Sequence, residues 1–253
     1  MTTTAQFAAE SWRDTIRPVG FSRLVAIEMR KSVDTRAARA LLATALGVGA
    51  LVLLLLLVLA GEPSLEIAAI PAALVSLVLP IIGVMSMTSE WSQRTALVTF
   101  WLVPRRSRVL AAKVTATMLL AVTTLAAMVV VFTVVCAIVF TIRGVPLDLS
   151  QLDGEVFGVL LSGLPSVVLG LAWGALLRST ALAIIVVIFY PLVVEPIVSA
   201  AIHDVGPWVS SATLPSLITG GSAPGAAIVT SIVLWYAAPL AGGWMLQLRR
   251  EAR

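Results

Sequence analysis

Six long stretches of this chain, residues 40–60, 67–88, 114–142, 156–177, 181–201 and 226–248, contain a single charged residue between them, Glu195. Each is near the roughly 20 residues that a helix needs to cross about 30 Å of hydrocarbon. Backbone in lipid has no water to bond, so runs of this kind are satisfied as helices. Only 12% of the chain is charged, against about 25% in soluble domains. The pattern implies an all-α integral membrane protein with six transmembrane helices. Residues 114–142 exceed the length required, so that span is expected to tilt or to project beyond the bilayer.

The segment 206–225, GPWVSSATLPSLITGGSAPG, is uncharged but rich in Gly, Pro and Ser. Such a sequence makes a poor continuous span, and irregular backbone does not face lipid. A re-entrant or interfacial pair of short helices is expected before the last span, with Trp208 at headgroup level, where an indole finds both apolar and wet surroundings.

Orientation follows from lysine and arginine in the short loops. With both termini cytoplasmic, 16 of the 17 basic residues fall inside and only Arg143 lies outside. This bias fits the positive-inside rule and disfavours seven spans, which would place Arg249, Arg250 and Arg253 outside. The expectation is a multi-pass protein of the plasma membrane: a cytoplasmic segment 1–39, a transmembrane domain 40–248 and a cytoplasmic tail 249–253. Residues 1–39 hold seven basic residues and no apolar core of signal-peptide length, so no cleaved leader is expected. Basic loops beside anionic lipid account for the net charge of +4, and no nucleic-acid motif is present.

Within 21–38, Phe21, Leu24, Val25 and Met29 share one side at helical spacing, with Arg23, Arg30 and Asp34 opposite. This predicts an amphipathic helix in the membrane interface. Glu28 falls inside its apolar arc. Either it pairs with a neighbouring base such as Lys31 or Arg36, or it meets another protein.

The largest loop between spans, 89–113, reads SEWSQRTALVTFWLVPRRSRVLAAK. TALVTFWLV can form a short helix, 95–103, which Pro104 cannot continue because it lacks the N–H and clashes with the preceding turn. The cluster Arg105, Arg106 and Arg108 would serve equally as a lipid anchor or as a contact for a protein. Glu90 is harder to assign to lipid, because anionic headgroups repel a carboxylate.

These residues carry a resemblance. The amphipathic helix with EMRK at Glu28–Lys31, the six spans, and the SEW…TALVTF…VPRRSRVLAAK loop after span two resemble the permease subunits of the second class of ATP-binding-cassette exporters, especially short actinobacterial ones. The resemblance implies that the N-terminal helix and the loop between spans two and three, with its coupling helix, touch a cytosolic ATPase. Residue by residue it carries over Glu28, Glu90, Arg94, Thr95, Pro104, Arg105, Arg106 and Lys113 as coupling contacts. It also implies two ATPase copies that bind ATP and Mg, no cofactor in this chain, and a second permease, identical or related. The apolar spans favour a lipophilic or amphipathic cargo such as a drug, an antibiotic or a lipid.

Other classes lack their parts. No GxxxxGK[ST] motif is present, so the chain has no P-loop to cradle ATP phosphates. His203 is the only histidine, which excludes an HExxH zinc site within one chain. His203 and Asp204 are chain neighbours with no identifiable serine partner, unlike a hydrolytic triad. The lone Cys136 lies in an apolar run and offers neither a disulfide nor a CxxC site. The alternative class is an ion-coupled transporter or channel, in which buried ionisable groups mark the path. Glu195 is its sole candidate, near the outer boundary by rise per residue. It is either an interfacial charge between Pro191 and Pro196 or part of an outer gate.

Overall fold

The computed structural model describes residues 19–60, 64–92, 106–146, 154–202 and 204–249, which are helical with no strand among them. Among the described residues six helices are long and apolar enough to cross a membrane: span one Arg36–Leu59, span two Leu65–Trp91, span three Ser107–Arg143, span four Phe157–Leu177, span five Thr180–Ala201 and span six Gly225–Leu248. The chain is thus an all-α membrane protein. A separate helix, Phe21–Asp34, precedes span one.

Charged residues extend several spans beyond their apolar runs. Span one begins at Arg36, four residues before its uncharged stretch, because Thr35 turns the chain in extended conformation and accepts the amide of Ala38. The helix of span three starts at Arg106 and runs 38 residues. At 1.5 Å per residue that is about 57 Å, well beyond the bilayer core. Helix therefore reaches into the interval 89–113 from both sides, to Ser92 and from Arg106.

Prolines shape the helices that depart from ideal geometry. Span two is broken at 77–78, just before Pro80, which has no N–H for the preceding turn. Span five contains a π-helical stretch, Ile185–Val194, around Pro191, and Glu195 N–H donates to the carbonyl of Tyr190 five residues back. The wider turn relieves the ring clash that an α-helix would impose. In span six, Ile232–Ala237 is likewise π-helical, immediately before Pro239.

Span four is the centre of the bundle. A Cβ added at Gly170 would lie 2.0 Å from the carbonyl oxygen of Pro80, and one at Gly83 would lie 2.4 Å from that of Val167. Spans two and four thus touch backbone to backbone, as small residues permit between membrane helices. Span six packs on the same helix, where a Cβ at Gly243 would lie 2.6 Å from Ala175. The core divides accordingly. Leu53, Leu79, Met128 and Leu171 join spans one to four, while Val84, Leu169, Val187, Trp235 and Tyr236 belong to a second cluster across spans two, four, five and six.

The two ends of the bundle differ. The basic end carries the N-terminal helix, the starts of spans one, three and five, and the turn at Arg178. There Arg178 adopts a left-handed φ of 52° and ends span four, its amide bonding to Gly174. At the far end Arg143 donates to the carbonyls of Ala60 at 3.0 Å and Val58 at 2.5 Å, closing the last turn of span one. The segment expected to be a pair of short helices contains Gly206–Val209 and Thr213–Ile218.

Candidate functional site

At the basic end four charged side chains meet. The N-terminal helix packs along span three, burying Leu24 and Glu28 on one stripe. Met29 and Val33 add to that contact, whereas Phe21 and Ile27 stay exposed. The apolar arc read from the sequence is therefore split between the protein and its surroundings. The presence of Glu28 on the buried stripe is explained by its partners.

Lys31, one turn on, donates to Glu28 Oε1 at 2.8 Å, and Lys113 of span three donates to Glu28 Oε2 at 2.9 Å. Lys31 also donates to Glu90 Oε1 at 3.2 Å, and Lys113 lies 3.5 Å from the same oxygen. Among the described residues, two acids and two bases thus meet in one cluster across three elements. Glu28, Glu90 and Lys113 are 6%, 9% and 4% exposed, while the Lys31 side chain is 47% exposed.

Burial pushes the Glu28 carboxyl up, but the charge and hydrogen bonds of Lys113 and Lys31 outweigh it and hold it below the usual carboxylate range. Burial would likewise depress Lys31, yet hydrogen bonds and charge from Glu28 and Glu90 raise it above the usual lysine value. Both groups stay ionised at neutral pH. Because desolvating such charges offsets much of their attraction, the cluster adds little net stability compared with apolar packing. Removing one member is different, since it strands a buried charge. The cluster's effect is to fix how the N-terminal helix sits against spans two and three.

Polar contacts extend the site toward span five. Thr117 donates to Ser86 at 2.6 Å, and the hydroxyls of Thr88 and Thr180 lie 2.8 Å apart. The Arg178 guanidinium lies 5.4 Å from the Trp91 ring centroid, a cation–π contact that joins the end of span two to the turn before span five.

Of the residues carried over as ATPase contacts, Glu28, Glu90 and Lys113 come together, and their charged atoms are engaged within the chain. Arg106 opens the helix of span three. Arg94, Thr95, Pro104, Arg105 and the short helix 95–103 lie outside the described residues, as does His203. For Glu28 the sequence offered Lys31 or Arg36 as neighbouring base. Lys31 is the one that bonds, joined by the distant Lys113.

Glu195 has a site of its own at the far end. It accepts hydrogen bonds from the hydroxyl of Ser210 and from Ser211, at 3.0 Å through its amide and 2.7 Å through its hydroxyl. The same turn is gripped from both neighbouring spans. Tyr190 and Trp235 donate to the Val209 carbonyl at 3.0 and 2.8 Å. Tyr236 donates to Ser211 O at 3.1 Å and Ser231 to Ser210 O at 2.5 Å. Trp235 also packs, tilted, between Tyr190 and Trp173, with centroids 4.2 and 5.5 Å away. Glu195 is therefore a latch between span five and the 210–211 turn. Sequence reasoning missed the Tyr and Trp partners, whose only signal was a polar tip within apolar spans.

Among the described residues no three His, Cys, Asp or Glu side chains stand close enough to hold a metal ion. Fold and sites together define a multi-pass helical membrane protein with a buried charge cluster at its basic end. No protein-family model and no curated protein matches the chain.

Proposed function

We propose that this chain is the membrane-spanning subunit of an ATP-driven exporter of the ATP-binding-cassette kind. It sits in the plasma membrane with both termini in the cytoplasm, and two copies, or this chain and a related one, enclose the path for a lipophilic or amphipathic cargo. Two cytosolic ATPase subunits supply ATP hydrolysis. The observation that supports this reading most is the position of Glu90 and Lys113. They stand on the helices that enter and leave 93–105, and both reach the N-terminal helix through Lys31 and Glu28. A partner that moves this segment would pull on spans two and three and on the N-terminal helix as one body. In this reading ATP-driven closure of the partner biases the two global states of the bundle through differential contacts at that body.

The test is co-purification. Expressed with an ATPase encoded beside it, the chain is expected to yield a stable complex that hydrolyses ATP, whereas the chain alone hydrolyses none. Failure of any such ATPase to bind, together with cargo movement that follows a proton gradient, would replace this reading with ion-coupled transport.

A further inference from the structure

The cluster forms one wall of a cavity of about 220 Å³ between the N-terminal helix and spans one, two, three and five. Its lining is divided by polarity: Lys31, Thr35 and Ser89 contrast with Leu41, Ile82 and Met85. Leu41 also belongs to a second hollow of about 180 Å³, a groove between span one and the first half of span two. Apart from Thr44 that groove is lined by apolar residues and glycine, and its walls include Val48 and Leu74, 48% and 46% exposed. It follows span one from Leu41 to Val48, about 10 Å at the helical rise. The two hollows thus share Leu41 in their linings: the first carries the charged and hydroxyl groups among apolar side chains, and the second lies along a membrane-spanning helix.

Charge selects the head that would enter the chamber. Glu28 and Glu90 are engaged by Lys31 and Lys113, and Asp34 faces Arg30 at 3.7 Å. Arg36 and Arg39, chain neighbours of the lining residues Ala37 and Ala38, are exposed, and Arg39 donates to the Asp34 carbonyl at 3.4 Å. Lys31, the exposed member of the cluster, has a third N–H beyond the two directed at the acids. Beyond the acids already engaged, the charge that this part of the chain has to offer is cationic.

The geometry points to a binding site for one anionic membrane phospholipid, with its phosphate at Lys31, Arg36 and Arg39 and one acyl chain in the groove from Leu41 to Val48. The lipid enters sideways from the leaflet at the basic end. Its second chain remains in the bilayer. Lipid binding here depends on the six spans and not on the transport reading, so either can fail without the other.

Native mass spectrometry of the full chain, released from bilayers holding phosphatidylglycerol and phosphatidylcholine with identical acyl chains, tests the site. One phosphatidylglycerol per chain is expected to survive release. Replacing Arg36 and Arg39 by Gln should weaken that retention roughly fivefold for each charge removed. Leu41→Trp adds bulk where the two linings meet and should abolish retention. Val48→Trp, at the exposed end of the groove, does the same without disturbing the cluster and covers the case in which Leu41→Trp fails to fold. Equal retention of the two lipids, or phosphatidylglycerol retained unchanged in Val48→Trp, overturns the proposal. So does displacement by inorganic phosphate alone, which would mean that the groove holds no chain. A lipid-free dimer that Val48→Trp dissolves would assign the groove to a second copy and equally overturn it.

Discussion

Lys113 and Glu28 are 85 residues apart in the chain and 2.9 Å apart in space, and both are almost wholly buried. One comes from the second turn of span three and the other from the middle of a short amphipathic helix. Each charge is neutralised largely by the other, with Lys31 and Glu90 as further partners. The contact converts a helix that could lie loosely on a membrane into one docked at a fixed place beside residues 93–105.

The first prediction follows from that pairing. Lys113→Gln leaves Glu28 and Glu90 to share Lys31, and breaking a buried pair in this way costs about 3–5 kcal/mol. Glu28→Gln with Lys113→Gln removes one charge of each sign and leaves Lys31 with Glu90. The double variant is expected to be more stable than the sum of the singles by about 0.5–3 kcal/mol. Apparent melting temperatures in detergent give the comparison, and strict additivity would show that the two groups do not interact.

The second prediction concerns pH. Glu28 is held below the usual carboxylate value, so its contribution is fully present above about pH 5 and is lost as pH falls through its lowered folded value. Lys31 is raised; its contribution is present below about pH 10 and is lost as pH rises through the raised folded value. Because the Lys31 side chain is 47% exposed, solvent screening keeps its part small. The difference in melting temperature between wild type and Glu28→Gln should be flat near neutrality and shrink on acidification. A difference that grows toward low pH contradicts the assigned direction.

The third prediction tests the crossing of spans two and four. Gly170→Ala places a Cβ 2.0 Å from the Pro80 carbonyl oxygen. Backbone cannot swing aside like a side chain, so overpacking of about 1–3 kcal/mol or more is expected. Gly47→Ala meets nothing within 4 Å and should leave stability unchanged or slightly raised, since alanine favours helix. Equal melting temperatures for the two variants would contradict the backbone contact.

At the far end Glu195→Gln weakens the grip on the 210–211 turn. Gln retains an acceptor but loses the charge assistance, and hydrogen bonds to a charged group are worth about 1.5–3 kcal/mol. Amide hydrogen exchange across 206–218 should accelerate while the N-terminal helix keeps its protection. Unchanged exchange in 206–218 would mean that Tyr190, Ser231, Trp235 and Tyr236 hold the turn unaided.

The spans were legible because length and hydropathy alone decide whether a segment stays in lipid. The short helices at 206–218 were legible because Gly, Pro and Ser interrupt an uncharged run there. Lys31 was legible as a partner for Glu28, since three residues on a helix bring two side chains to one face. Lys113 was not, because pairing across 85 residues is set by how spans pack and leaves no local period. For the same reason Glu90 read as a charge offered to a partner, whereas its carboxylate joins the internal cluster. The close contact at Gly83 and Gly170 was hidden too, since a glycine in an apolar helix does not say which neighbour will press against it. The two π-helical stretches have a visible cause in Pro191 and Pro239, but proline signals only that the helix must adjust, not how.

The last prediction fixes the sides of the membrane. Sixteen of 17 basic residues gather at one end if there are six spans, and that bias places the end in the cytoplasm. Cys136 is 2% exposed and can be replaced by Ala to give a cysteine-free background. Val145→Cys and Ala212→Cys stand at exposed positions of the far end and should react with a membrane-impermeant maleimide on intact cells. Arg23→Cys in the N-terminal helix and Ala252→Cys in the tail should react only after permeabilisation. If Ala252→Cys labels from outside while Arg23→Cys does not, the number of crossings is odd and six spans are wrong. If all four positions label in reverse, the bundle keeps its six spans but stands inverted, and the segment 93–105 could not meet a cytosolic ATPase. Labelling therefore separates an error in the fold from an error in the function.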